Sequence, residues 1–264
     1  MLKITHLLGF SGTLQECLSK AKQPAFFARL RELNLVQTRK DVAHAVPSDI
    51  GLVQAVQVLD GFDKFHAELL TQIREFYAWY APEFVRTASA QELTNSITTA
   101  KNFLAAQKAV HNSMGGNLCA EDIAIMQRMN TVSEETGKQR EFFIQDIEFL
   151  MKKLAPNLLH VAGFLIGAKL VCLAGGIQQL AMASSSFVQL LGAKKALFRH
   201  VITGAKSPKH GIILQHPVVQ SANNKGRAAR ILAGKIVIAA RVDCFKGSFV
   251  GDELLKSAVV QICK

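Results

Sequence analysis

Lys194, Lys195, Arg199, Lys206, Lys209, Lys225, Arg227, Arg230, Lys235 and Arg241 crowd the stretch from Gly192 to Asp243, which holds no acid before its last residue. The acid-free window is wider still. From Phe149 to Val242, 94 residues carry 13 lysines and arginines and no carboxylate. Clustered like charge destabilises a folded chain by self-repulsion unless an anion neutralises it, and the commonest extended anion is a phosphate backbone. A solvated basic face is the plain counter-reading. However, Ala196, Leu197 and Val201, and then Ala229, Leu232, Ala233, Ile236 and Ala240, recur at helical spacing, which places these charges on ordered helices.

Three seats for an anion follow. Gly192 and Ala193 open a helix whose first turn presents Lys194 and Lys195, where free helix amides and two ammonium groups act together. Lys206, Lys209 and His210 sit on a loop stiffened by Pro208. Lys225, Arg227 and Arg230 occupy a second helix start, where cations oppose the macrodipole and favour a bound phosphate instead. Arg199, His200 and Lys235 complete the candidate set. The aromatics between Phe149 and Val242 are four phenylalanines, with no tyrosine or tryptophan. That composition argues against a base-stacking platform and for recognition of phosphates and shape.

Catalytic motifs do not fit. The first glycine position of a Walker loop ending at Gly234-Lys235 is Ala229, and Ile236 follows the lysine. The acid-free window removes carboxylate bases from the one cluster resembling a site. His200, His210 and His216 are spaced by ten and six, which matches no metal pattern, and no cofactor box is seen. Five cysteines, Cys17, Cys119, Cys172, Cys244 and Cys263, are odd in number and never paired as CxxC. They fit a reducing compartment rather than a disulfide framework or a zinc site. The sequence therefore predicts a binding protein, not an enzyme.

The elements that must position these residues can be read from the whole chain. At 264 residues with 49% hydrophobic content, it has room for one large or two medium cores. Residues Leu190 to Lys264 hold 13 basic and three acidic residues, +10 of the net charge of +11. The rest is nearly neutral and reads as an interaction region. Leu154 to Ala168 is apolar, but its 15 residues before Lys169 fall short of the ~20 that span a bilayer, so no membrane segment is expected.

Pro24 to Val46 reads as a helix with Phe26, Phe27, Leu30, Leu33 and Val36 on one face. Leu52, Val56, Leu59, Phe62, His66, Leu69, Ile73, Phe76 and Tyr80 then follow a 3–4 spacing for about four heptads, a coiled-coil or bundle seam in which His66 is a partnered seam residue. Pro82 stops it. A weaker amphipathic piece, Ala90 to Val110, leads to a tip loop at Ser113 to Asn117. The second long helix, Glu121 to Leu154, carries Met126, Met129, Val132, Thr136, Arg140, Phe143, Ile147, Leu150 and Leu154. Two matched helices should form an antiparallel hairpin. After Pro156 the pattern predicts helices over Leu158–Leu173, Ile177–Met182, Ser186–Leu191 and Ala193–Thr203, then an extended piece over Gly211–His216. Helices from about Lys225 to Phe245 and from Asp252 to Cys263 complete it. The expected fold class is all-α: a long antiparallel helical hairpin followed by a compact helical domain.

The strings APNLLHVAGFLIGAKL, LAGGIQQLAMASSSFVQLLGAKKALFRHVITGAKSPKHGII and KGRAARILAGKIVIAARVD resemble the Nop domain, over roughly Leu52 to Glu253. That domain occurs in scaffold proteins of box C/D guide ribonucleoproteins and in a spliceosomal relative. GAKKALFRH matches the family's GAEK-type motif, except that Lys194 stands where the family usually has Glu. The departure could alter a partner contact while raising phosphate affinity. Arg241 and Asp243 match a family motif as well and are expected to be structural.

The resemblance implies a division into 1–50, a remnant of an N-terminal fibrillarin-binding region; 51–154, a coiled-coil dimerisation hairpin; and 155–264, a compact helical Nop domain binding RNA and protein. It implies box C/D guide RNA as ligand, with a ribosomal-protein-type kink-turn-binding protein already in place. Fibrillarin would perform RNA 2′-O-methylation with S-adenosylmethionine, so the scaffold itself needs no cofactor. Only about 50 residues precede Leu52, so the expectation is weak or indirect fibrillarin binding. Homodimerisation is expected through Leu59, Phe62, Leu69, Ile73, Met129, Val132, Phe143 and Ile147. The implied location is cytoplasmic in an archaeon and nucleolar in a eukaryote. The alternatives are a spliceosomal-type protein on a small nuclear RNA kink-turn, or a dimerisation adaptor that binds no RNA.

Overall fold

A computed structural model of the chain describes residues 24–87, 114–116 and 119–263. The expected amphipathic piece over Ala90–Val110 lies outside these, as do Ser113 and Asn117 of the tip loop. Every regular element among the described residues is helical. The chain divides into two units, residues 1–48 and 49–264. In the first, α1 (Pro24–Ala45) is an uninterrupted helix with no buried residue, and Phe26 meets Phe27 edge-on at 5.8 Å between ring centroids.

The second unit begins with α2 (Ile50–Ala78), the short α3 (Pro82–Thr87) and α4 (Ala120–Leu154). As the matched seams predict, α2 and α4 pair as an antiparallel hairpin. At its base Leu52, Val56, Leu59, Ile147 and Met151 are fully buried, in one core with the C-terminal helices. At its tip Leu69, Ile73, Tyr77 and Met126 form a second cluster. The tip is tied by Tyr80 Oη donating to Asp122 Oδ2 at 2.8 Å, and Gly116 N donates to the Trp79 carbonyl at 2.9 Å.

A polar belt separates the two apolar clusters. Arg140 pairs with Asp63 at 2.5 Å, Ser133 Oγ lies 3.4 Å from His66 Nδ1, and Asn130, Ser133 and Thr136 are buried. His66 is thus a partnered seam residue.

The burial pattern corrects the expected dimerisation set. Leu59, Leu69, Ile73 and Ile147 are buried within the single chain, so they are hairpin core and not surface for a second chain. Val132 is 43% exposed, because mid-hairpin the seam passes through Asn130 and Ser133. A second stripe on α2 keeps its own 4–3 spacing: Val58, Phe62, Phe65, Leu69, Gln72, Phe76 and then Trp79. Phe62 packs on Phe143 at 5.6 Å, and Phe143 shares a face of α4 with the exposed Val132 and Ile125. On this side of the hairpin Val58, Phe65, Ile125 and Val132 are therefore exposed apolar side chains.

The remaining elements are α5 (Pro156–Ala162), α6 (Phe164–Ala174), α7 (Ile177–Met182), α8 (Ser185–Leu190), α9 (Lys194–Thr203), a 3-10 turn (Ile212–Gln215), α10 (Pro217–Gln220), α11 (Lys225–Cys244) and α12 (Gly251–Cys263). They are assembled around α11, which packs against α5, α7, α8, α10 and α12. Ala228, Ala229, Leu232, Ala233, Ile236, Val237, Ala239 and Ala240 are all buried on it, and the small alanines let neighbours approach closely. The hairpin joins this assembly directly: Lys169 pairs with Asp60 at 3.0 Å, and Asp49 Oδ2 accepts the first amide of α7, Ile177 N, at 2.6 Å.

Three local expectations are corrected. The single helix expected over Leu158–Leu173 is two, bent by 113° at Gly163, whose φ of +77° only glycine adopts at little cost. The extended piece expected at Gly211–His216 is a 3-10 turn, closed by Leu214 N and His216 N on the Gly211 and Ile213 carbonyls. Finally, α9 has no buried residue. Leu197, Phe198, Val201 and Ile202 are 41%, 64%, 73% and 79% exposed, so its apolar face is surface and not core.

Candidate nucleic-acid interface

The loop between α9 and the 3-10 turn is held at both ends. His200 Nδ1 bonds to the Ala205 carbonyl. At the other end the buried side chain of Gln189, in α8, donates Nε2 to the Lys209 carbonyl at 2.5 Å, and Gly211 N donates to the Gln189 carbonyl at 2.8 Å. Gly211 comes so close to α8 that a Cβ there would sit 1.9 Å from the Leu191 carbonyl oxygen. The loop carrying Lys206, Lys209 and His210 is therefore fixed before any ligand arrives.

Facing it, Asn224 caps α11 by accepting Arg227 N at 3.2 Å. The first turn of that helix contains no acid. Between loop and helix start lies a cleft of about 800 Å³ lined by Ser186, Gln189 and Leu190, by Ser207, Pro208 and Lys209, by Asn224, Gly226, Arg227, Arg230 and Ile231, and by Gln261 of α12. Lys209, Arg227 and Arg230 are exposed there. The ion pairs among the described residues are Arg140–Asp63, Lys152–Glu148, His160–Asp252 and Lys169–Asp60, and none engages a cation of this region.

The structure thus brings together Lys209, Arg227 and Arg230 of the predicted set, with Lys225 exposed at the same helix start. Gly192, at φ +88°, and Ala193 form the turn into α9, which presents Lys194, Lys195 and Arg199 on its surface outside the cleft. Lys206 and His210 lie on the loop, also outside the lining. Two members also have partners within the fold. His200 anchors the loop, and Lys235, lower on α11, donates Nζ to Ser257 Oγ at 2.9 Å and ties α11 to α12. Arg241 and Asp243 are structural as expected: Arg241 Nε donates to the Ala181 carbonyl at 2.8 Å, and Asp243 caps α5.

Gln189 and Gln261 were missed. A lone amide gives no local signal of a partner brought near only by folding. Asn224, by contrast, directly precedes the helix start and was readable as a cap. Among the described residues no group of three or more His, Cys, Asp or Glu side chains could hold a metal ion, and no single helix is long and apolar enough to cross a membrane.

A basic cleft whose lining holds no carboxylate, in a small helical domain mounted on a long hairpin, has the chemistry of an anion-binding module. Comparison with known proteins then gives its family. The family described as "Nop: snoRNA binding domain, fibrillarin" matches residues 58–263, and the chain belongs to it. A NOP5 family protein of Methanocaldococcus jannaschii is 34% identical over 234 residues, covering 81% of this chain and 56% of that protein. Nucleolar protein 56 of Dictyostelium discoideum is 31% identical, covering 83% of this chain and 47% of its own length. Nucleolar protein 58 of Candida albicans is 32% identical, with 75% and 42% covered. The chain thus spans about half the length of these curated relatives. Its fold is shared with a chain of the crystal structure of a fibrillarin/Nop5p complex, at a TM-score of 0.55 and 22% identity, over 96% of this chain and 86% of that one.

Proposed function

We propose that this chain is a scaffold of a box C/D guide ribonucleoprotein, binding kink-turn RNA together with its ribosomal-protein-type kink-turn-binding protein and supporting 2′-O-methylation by fibrillarin. The observation that carries this reading is the set Lys209, Arg227 and Arg230 around a preorganised cleft, which no ion pair among the described residues neutralises. Such cations release counterions from an RNA backbone on binding, and a wall already fixed by Gln189 lowers the ordering cost. The lining of amides, hydroxyls, aliphatic groups and cations suits binding and offers no paired acid and base, so methyl transfer is left to fibrillarin.

The open face of α9 supports a composite RNA and protein surface. Leu197, Phe198, Val201 and Ile202 offer an apolar contact to a protein, beside Lys194, Lys195 and Arg199 on the same short helix. The second hairpin stripe, with Val58, Phe65, Ile125 and Val132 exposed, is the surface we assign to homodimerisation. The relatives in eukaryotes are named nucleolar proteins, and a eukaryotic host would place this chain there too.

Gel shifts of a kink-turn RNA, with and without its kink-turn protein and at two salt concentrations, test the reading. The expected result is a ternary complex whose affinity falls steeply with salt and drops at least about ten-fold in a Lys209→Glu/Arg230→Glu variant. An unchanged ternary affinity in that variant would refute it.

A further inference from the structure

The cleft is larger and less polar than backbone phosphates require. A phosphate contact needs cations and amides at a surface. Here the cations stand at the rim of a chamber of about 800 Å³ whose walls include Leu190, Pro208 and Ile231. A stacked duplex presents phosphates, ribose edges and grooves, and none of these enters an aliphatic-walled chamber. We infer that the cleft receives one nucleotide turned out of the RNA stack: its phosphates lie on Lys209, Arg227 and Arg230, and its base lies between the aliphatic walls. This inference deepens the RNA-scaffold reading and rests on it.

Two further features fit that occupant. The chamber is held open in the folded chain, because the Gln189 side chain fixes one wall at Lys209 and the other wall is the first turns of the buried helix α11. Its edges carry the amide of Gln261 and the hydroxyl of Ser207, which can meet the edge of a base. Walls of Leu, Pro and Ile contact any base over its face, so they would select for an unpaired, everted position more than for a particular base.

The test is the affinity of the full chain for a preformed complex of kink-turn RNA and kink-turn protein, with single abasic sites scanned through the unpaired nucleotides. Only RNAs that still bind the kink-turn protein fully are scored. At one position, removal of the base should weaken wild type about ten-fold, as expected when one base no longer buries its face against the aliphatic walls. That penalty should vanish in Ile231→Trp, where an indole already fills the chamber, and in Gln261→Trp, which fills it from the exposed rim without touching the core. Arg230→Glu should weaken every RNA alike, with or without the base. If all abasic sites are tolerated within two-fold while Arg230→Glu still weakens binding, the everted nucleotide is refuted and the scaffold reading stands. If neither base removal nor Arg230→Glu has an effect, the scaffold reading fails with it.

Discussion

Asp243 caps the start of α5 through Asn157, which lies 86 residues before it in the chain. Its Oδ1 accepts Asn157 N at 3.1 Å and Asn157 Nδ2 at 2.8 Å, its Oδ2 accepts Leu158 N at 2.8 Å, and Asn157 Oδ1 in turn accepts Val250 N at 2.7 Å. The first acid after the acid-free window therefore sits where α5 needs one, at the free amides of a helix start and at the favourable end of its dipole. Replacing Asp243 by Ala leaves three donors unsatisfied, two on the buried Asn157 and one on Leu158. We expect a loss of about 3 kcal/mol in urea unfolding, with RNA affinity unchanged well below the melting temperature.

The cleft cations and Lys235 should separate in a salt titration. Arg227→Ala and Arg230→Ala are each expected to lower the slope of log affinity against log salt by about one, as removing a cation from a phosphate does. Lys235→Ala should leave the slope unchanged, since its ammonium is held by Ser257. A lowered slope for Lys235→Ala would return that residue to the interface.

Assembly and stability should respond to different faces of the hairpin. Phe65→Glu together with Val132→Glu places charge on two exposed positions, so a monomer is expected by light scattering with little change in melting temperature. Ile73→Ala removes a buried side chain of the tip cluster and should cost about 3 kcal/mol. Dimers surviving the double charge insertion would rule out the second stripe as the contact.

Stability should fall on mild acidification because of His216. The ring is buried at the start of α10, with Nδ1 accepting Val218 N at 3.3 Å. Burial pushes its pKa below the ordinary value of about 6.5, against a weaker opposite pull from a backbone hydrogen bond with Val161. Between the depressed value and 6.5 the unfolded chain binds more protons than the folded one. The contribution is therefore whole above about pH 6.5 and is lost as pH falls through that value toward the folded pKa. His216→Asn keeps a cap acceptor and removes the titration. The gap in melting temperature between wild type and variant should shift against wild type from pH 7 to pH 5.

Charge and periodicity carried much of the fold and site. Ile177–Met182 is legible to the residue, and both hairpin helices within two, because long 3–4 spacings are local properties of the chain. Which side of a helix is covered is not local. Leu197 and Val201 have the spacing of a buried face, yet among the described residues no element buries a side chain of α9. Gly163 stands in a stretch that reads as continuous helix, and its φ of +77° is set by how α6 must turn to pack. The cations of the cleft are legible because charge shows in the sequence. Gln189 is not, because its partner lies 20 residues away and only the fold brings them together.

The polar belt across the hairpin also fixes a length. Arg140 faces Asp63, and Ser133 faces His66. Sliding α4 along α2 by one heptad would set Arg140 against Val56 or Leu70 and strand a guanidinium on an apolar seam, a slip that a seam of leucines alone would tolerate. The tip is therefore held at one distance from the basic domain, about 43 Å along the 29 residues of α2. The hairpin then acts as a gauge with a single setting. Lengthening it while keeping its two ends in phase requires whole heptads added to both helices, about 10 Å at a time.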